Sequence, residues 1–253
     1  MQSVTPLLVA LAAYLIGSLS FAVIVSHWMG LNDPRTYGSG NPGATNVLRS
    51  GNKLAAVLTL VLDALKGYLP VLIVARFGSA YGWEEGTMAL VGLAALLGHL
   101  WPVFFRFQGG KGVATAAGVL LALNPWLGLA TMATWLIIAA FLRYSSLASI
   151  VSAVFAPFYQ LLLWGAGPTA FAVIVMGLLL VWRHVGNIQK LLKGTESKLG
   201  AGSHSMAPDA GRAAAAARPD HKQSHRHVRD HARDHARDHA RDHTRKHRRE
   251  NPP

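Results

Sequence analysis

The chain has 253 residues, 51% of them hydrophobic and only 14% charged, with a formal net charge of +12. It contains no cysteine, which excludes disulfides, thiolate nucleophiles and cysteine-based metal sites. Residues 1–200 carry 12 Lys/Arg and 5 Asp/Glu, and residues 201–253 carry 12 and 7. An apolar body followed by a polar tail is the pattern of an integral membrane protein with a soluble extension.

The first apolar run, Pro6–Trp28, is long enough to cross a hydrocarbon core of about 30 Å. It has no basic flank and no small-residue cleavage site, so it reads as a retained span rather than a signal peptide. The next stretch, Tyr37-Gly-Ser-Gly-Asn-Pro-Gly-Ala-Thr-Asn-Val-Leu-Arg-Ser-Gly-Asn-Lys53, is rich in glycine and hydroxyls. Backbone N–H groups of Gly38, Gly40 and Gly43 can converge on an oxygen-rich anion, with Ser39, Thr45 and Arg49 adding donors and charge. Gly38-Ser-Gly40-Asn41-Pro-Gly43 formally matches a dinucleotide fingerprint, and Asp63 falls about 20 residues later. That reading fails, because the fingerprint belongs between a strand and a helix and here both flanks are membrane-type apolar runs. A flexible connector accounts for the glycines but not for Thr45, Asn46 and Arg49 together.

Leu54–Ala75 and Thr87–Phe105 are the next two runs of spanning length. Asp63 and Lys66 sit inside the former at helical spacing, either pairing with each other or lining a polar site. The second polar stretch runs from Gly98-His99 to Gly109-Gly110-Lys111-Gly112-Val-Ala-Thr115. Walker A chemistry requires Ser or Thr after the lysine and a further glycine upstream, and those positions hold Gly112 and Phe105. What remains is a glycine turn with Lys111, opening a helix whose N-terminus is itself suited to anions. His99 is either a packed helix-end histidine or a participant in the chemistry.

Val113–Leu142 read as one helix would be about 45 Å long, too long for an upright span. Asn124-Pro125 divides it into a short helix, Val113–Leu123, of about 16 Å, and a full one, Trp126–Leu142. Leu147–Trp164 and Pro168–Trp182 complete the apolar body. With seven spans, Arg35, Arg49, Lys53, Arg106, Lys111, Arg143, Arg183, Lys190, Lys193 and Lys198 share one side, and the other side holds Arg76 with Glu84 and Glu85. The positive-inside rule therefore predicts an all-α protein of seven transmembrane helices, N-terminus outside and C-terminus cytoplasmic, with all three polar stretches inside.

The third polar stretch is Arg183-His184-Val-Gly-Asn187-Ile-Gln-Lys190, continuing to Glu196 and Lys198. His184 and Asn187 share a helix face at the membrane surface. Arg183, Lys190 and Lys193 are ordinary topology anchors after a last span, a reading that leaves His184, Asn187 and Glu196 unexplained. From Ala201 the chain becomes low in complexity, with Arg-Asp-His-Ala repeated from Arg229 to Ala240. On a helix His231, His235, His239 and His243 would line one face able to bind zinc, whereas the composition by itself suits a disordered cytoplasmic extension. The organisation expected is a membrane domain, 1–200, and a tail, 201–253.

Three ordered motifs, Ser39-Gly-Asn-Pro-Gly-Ala-Thr-Asn-Val-Leu-Arg49, Gly98-His-Leu-Trp-Pro through Gly109-Gly-Lys-Gly-Val-Ala-Thr115, and Arg183-His-x-x-Asn-Ile-Gln-Lys through Glu196-x-Lys198, resemble the PlsY family. These are bacterial acyl-phosphate:glycerol-3-phosphate acyltransferases, and the likeness covers residues 1–200. Gln108, where members often have a basic residue, and Lys190, often arginine, depart from the pattern and would tune anion affinity. The resemblance implies acyl transfer from acyl phosphate to the 1-hydroxyl of sn-glycerol 3-phosphate, releasing phosphate and lysophosphatidic acid. It implies no metal or other cofactor, no nucleic acid, and no stable partner beyond membrane lipid and a separate enzyme that supplies acyl phosphate. The location implied is the bacterial inner membrane.

On this resemblance Ser39, Arg49, Lys111, His184 and Asn187 would be catalytic. Gly38, Gly40, Asn41, Gly43, Thr45, Asn46, Gly109, Gly110 and Gly112 would hold phosphate, supported by His99 and Glu196. The attacking hydroxyl would lose its proton to His184 or to the substrate's own phosphate. A transporter of organic phosphates also needs anion loops and broken helices, but it would show a comparable polar cluster on the outer side, which this chain lacks.

Overall fold

A computed structural model describes residues 4–200, and every regular element in that range is helical. The helices are α1 (Thr5–Gly17), α2 (Phe21–Trp28), α3 (Ala44–Leu48), α4 (Lys53–Phe77), α5 (Glu85–Leu100), α6 (Val113–Leu123), α7 (Pro125–Leu142), α8 (Ser145–Trp164), α9 (Pro168–Arg183) and α10 (Val185–Leu192). The expected disorder of the tail, and a histidine face at His231, His235, His239 and His243, lie outside the described residues.

Local chemistry explains the boundaries. The Asn52 side chain accepts the Ala55 N–H and caps α4. Asn124 accepts from Trp126 and Leu127 while Pro125 opens α7, so the same residues that stop α6 start its successor. The break expected at Asn124-Pro125 is present, with α6 confined to Val113–Leu123.

The single span expected over Pro6–Trp28 is instead two helices meeting at 41° around Ser18–Ser20. Lys66 provides the physical reason the break is tolerated in an apolar setting. Its ammonium donates to the Leu19 carbonyl at 2.6 Å, satisfying an oxygen that the interrupted helix leaves free, and pairs with Asp63 at 2.8 Å. Both charged side chains are buried, so of the two sequence readings the mutual pair is the one seen.

The helix faces divide by size. Small residues line the interior, among them Ala13, Ala95, Ala116, Ala148, Ala172 and the hydroxyls of Thr59, Thr115 and Ser152. Leu60, Ile73, Leu136, Phe141, Phe158, Leu162, Phe171 and Leu178 are exposed, an outer surface suited to lipid tails. Helices α4 and α6 approach each other closely. A methyl on Gly118 would fall 2.0 Å from the Ala64 carbonyl, and one on Gly67 2.3 Å from the Thr115 carbonyl. Close backbone contact of this kind is how membrane helices gain packing without a hydrophobic driving force between them.

By length and composition, four helical segments can cross a membrane singly: Lys53–Tyr81, Glu85–Phe105, Pro125–Leu142 and Ser145–Trp164. The bent pairs α1–α2 and α9–α10 raise the number to six, and α6 is a shorter apolar helix of 11 residues.

Candidate active site

The three polar stretches meet at one end of the bundle. In the first, Asn46 is buried and its amide organises the turn. It donates to the Pro34 and Tyr37 carbonyls at 2.6 and 3.1 Å and accepts the Ser39 N–H at 3.0 Å. All of its polar atoms are thereby engaged within the loop, so Asn46 shapes the turn instead of offering a free donor to a ligand. Ser39, Gly40 and Thr45 are exposed, while Asn41 and Gly43 are half-buried. Gly38 has φ +60°, and a methyl there would lie 2.4 Å from Asn46 Oδ1 and 3.1 Å from Arg49 Cδ. Its missing side chain lets Arg49 fold back over the turn. Upstream, Arg35 grips Asp33 through Nε and Nη2, and that hydrogen bonding holds the Asp33 carboxyl below its ordinary range. Clefts of about 350 and 300 Å³ flank this loop, the first lined by Gly30, Leu31, Asn32, Tyr37, Arg49 and Ser50.

The second stretch turns back under α5. Gly109 and Gly110 pack against His99 and Leu100 so tightly that a methyl on Gly110 would sit 2.4 Å from His99 Nε2 and 2.8 Å from the Pro42 carbonyl. The two glycine turns are therefore in contact. Arg183 clamps the second one from α9, donating to the Gly109 carbonyl at 2.8 Å and the Gly110 carbonyl at 2.9 Å. Gly112, at φ +85°, then starts α6.

His99 is buried against this turn. The Thr115 hydroxyl gives its proton to the Asp63 carbonyl at 2.9 Å, so His99 Nδ1, 3.1 Å away, is the donor to the Thr115 oxygen. The ring thus links the buried Asp63–Lys66 pair to the glycine turn, a packed position at the end of α5.

Lys111 is only partly exposed, and its ammonium donates to Asn187 Oδ1. Burial lowers its pKa to about 8; Glu196 opposes that change, and Lys190, Arg183 and Arg49 reinforce it. Asn187 in turn donates to Glu196 Oε1 at 2.8 Å. His184, at the bend between α9 and α10, is 2% exposed and donates through Nδ1 to the Leu180 carbonyl at 2.7 Å, which leaves Nε2 as an acceptor. Burial first, and the nearby Lys111 and Arg183 charges, bring His184 down to about 4 although the Leu180 carbonyl and Glu196 oppose it. It is neutral at physiological pH.

Residues 195–199 close the arrangement. Leu199 and Arg143 exchange two hydrogen bonds, Glu196 accepts the Ser146 hydroxyl at 2.6 Å, and Ser197 accepts from Arg49 at 2.6 Å. Hydrogen bonds thus join Lys111, Asn187, Glu196 and Ser146 in one chain, and a second contact ties Arg49 to the same segment. Among the described residues no group of three His, Cys, Asp or Glu side chains gathers as metal ligands.

Three contributors escaped the sequence reading. Arg183, assigned there to topology, holds the Gly109–Gly110 turn; Ser146 and Ser197 reach the cluster from positions that no motif marks. Only for Arg183 was there a signal, its place directly before His184.

A bundle of apolar helices carrying a cationic, glycine-lined cluster at one end defines an integral membrane protein built to handle phosphorylated substrates. The family model for glycerol-3-phosphate acyltransferase matches residues 7–194. The chain is 62% identical over 213 residues to the glycerol-3-phosphate acyltransferase of Paraburkholderia phytofirmans, covering 84% of this chain and 96% of that one. It is 68% identical over 191 residues to the Ralstonia nicotianae enzyme, covering 76% and 92%. Two crystal structures of PlsY (YgiH), an integral membrane glycerol 3-phosphate acyltransferase, are also similar. The glycerol 3-phosphate form gives a TM-score of 0.73 at 41% identity, and the lysophosphatidic acid form 0.71 at 40%; each comparison covers 78% of this chain and 96% of that one. The chain belongs to the PlsY family of glycerol-3-phosphate acyltransferases.

Proposed function

We propose that this acyltransferase moves a fatty acyl group from acyl phosphate to the 1-hydroxyl of sn-glycerol 3-phosphate, on the cytoplasmic face of the bacterial inner membrane. The observation that carries the reading is the meeting of two glycine turns with Arg49, Lys111 and Arg183 around a single chain of hydrogen bonds. Such a cluster suits two phosphates held side by side, and the solved relatives in glycerol 3-phosphate and lysophosphatidic acid forms are consistent with it.

In the proposed reaction the hydroxyl oxygen attacks the acyl carbonyl, the carbon–oxygen bond to phosphate breaks, and inorganic phosphate leaves. A mixed anhydride has a good leaving group, so positioning and fixed donors suffice. Ser39, Thr45, Asn41 and the N–H groups of Gly38, Gly109 and Gly112 are the donors for the acyl phosphate. The N–H groups of Gly40, Gly43 and Gly110 already donate to the Tyr37, Asn41 and His99 carbonyls and, with Asn46 and His99, hold the turns. Arg49 and Lys111 neutralise charge, and His184 and Asn187 orient the acceptor. A histidine at about 4 is a weak base, which favours the substrate's phosphate as the proton acceptor.

The proposed topology is seven spans with the N-terminus outside. It counts α6 as a span, shielded by its close contact with α4. Purified protein given palmitoyl phosphate and glycerol 3-phosphate should form lysophosphatidic acid without nucleotide or added metal. Turnover with palmitoyl-CoA and none with palmitoyl phosphate would overturn the donor assignment.

A further inference from the structure

We propose that Ser146 and Glu196 are positioning residues that decide which end of the Asn187 amide faces Lys111, and so aim the lysine at the acceptor's phosphate. The proposal rests on the acyl-transfer reading above.

The two ends of an asparagine amide differ in character but hardly in shape, so something must choose between them. Here Glu196 Oε1 accepts from Asn187 Nδ2 at 2.8 Å and from the Ser146 hydroxyl at 2.6 Å. A carboxylate only accepts, so the amide nitrogen must face it, and the amide oxygen is left toward the Lys111 ammonium. Reversal would set oxygen against carboxylate and N–H against ammonium, two repulsive contacts at once. Ser146 lies 5% exposed in the first turn of α8, where water is a poor substitute partner for its hydroxyl.

The carboxylate is itself held from both sides. Leu199 and Arg143 exchange hydrogen bonds at 2.6 and 3.0 Å, the Lys198 ammonium lies 5.6 Å from the Tyr144 ring centre, and Arg49 donates to Ser197. Glu196 therefore stands at a fixed place between the α7–α8 corner and α10. The charged groups facing Lys111 are Glu196 after α10, Lys190 on α10, Arg183 on α9 and Arg49 after α3, with neutral His184 beside them. Glu196 is the one anion among these, so it also keeps Lys111 protonated to higher pH.

The test compares Ser146→Ala, Ser146→Thr, Glu196→Gln, Asn187→Ala and the Ser146→Ala/Asn187→Ala pair in the full-length, detergent-purified protein. Turnover from palmitoyl phosphate is measured across pH, and glycerol 3-phosphate binding is measured by calorimetry. The binding arm still reads the proposal if the acyl-transfer reading itself fails. Ser146→Ala should weaken binding and kcat/KM about tenfold, the scale of one hydrogen bond to a charged acceptor, and Ser146→Thr should restore most of it. In the Asn187→Ala background the serine change should cost almost nothing, because its action runs through that amide. Glu196→Gln should move the alkaline loss of activity to lower pH, while Ser146→Ala leaves that limb in place. Wild-type binding in Ser146→Ala, full multiplication of the two single effects, or an unmoved limb in Glu196→Gln overturns the proposal. Unchanged melting temperatures would confirm that the variants are folded, and Ser146→Thr supplies the comparison if the alanine variant is not.

Discussion

Arg49 and Lys111 bring positive charge to the same cluster under different conditions. Arg49 is exposed, whereas partly buried Lys111 is held at about 8. Replacing Arg49 with alanine removes a charge-assisted contact of about 1.5–3 kcal/mol, so kcat/KM should fall roughly ten- to a hundredfold, with Arg49→Lys intermediate. Steady-state kinetics with both substrates check this. The sign for Lys111 follows from its acting as the ammonium: activity is full below its pKa and lost as pH rises through about 8. Lys111→Arg should retain activity while removing that alkaline limb, and a limb that stays near the same pH would assign it to another group. His184 is already neutral well above about 4, so it should contribute no titration to the rate between pH 6 and pH 8 as set by the assay.

Helices α4 and α6 form the element whose failure would reach furthest. Lys66 on α4 serves both the Asp63 carboxylate and the freed Leu19 carbonyl, and Thr115 on α6 joins Asp63 to His99. Lys66→Met strands a buried charge and uncaps the α1–α2 break, with an expected loss of about 3–5 kcal/mol. Thermal unfolding in detergent should show a clearly lowered midpoint, partly recovered when Asp63→Asn is added. An unchanged midpoint for the single variant would mean the pair is not structural. Gly118→Ala should also destabilise, because its methyl has only 2.0 Å to the Ala64 carbonyl and must push α4 away from α6.

For the whole molecule, orientation and the role of the tail are the open predictions. The cysteine-free chain allows single cysteines to report sidedness without background. Cysteines at Ser50 and Ser205 should resist a membrane-impermeant thiol reagent in intact cells, and one at Gly82 should react. Labelling at Ser205 but not at Ser50 would indicate an even number of spans. Truncation after Gly202 should leave saturated turnover largely intact, because the described cluster is built from residues 34–199. A truncated protein that inserts and melts normally yet does not turn over would assign the tail a part in catalysis.

Apolar run length and local chemistry determined most helix limits from sequence, and they did so because those forces are local. Asn124-Pro125 carries its own cap and its own break, and α6 begins and ends at the residues expected. The glycine turns were legible for the same reason, and the ordered motifs pointed to the family. Relations between distant residues were not legible. The single first span gave way at Ser18–Ser20, and its stabilising donor is Lys66, 47 residues from Leu19. Arg183 reads as a topology anchor until its guanidinium is seen on the Gly109 and Gly110 carbonyls. Asn46 reads as a ligand-facing amide until all its polar atoms are found spent on its own loop. Ser146 has no motif at all, because its significance lies in a carboxylate 50 residues away. Burial and hydrogen-bond geometry arise only when helices pack, and at this site they decide which polar groups remain free for a ligand.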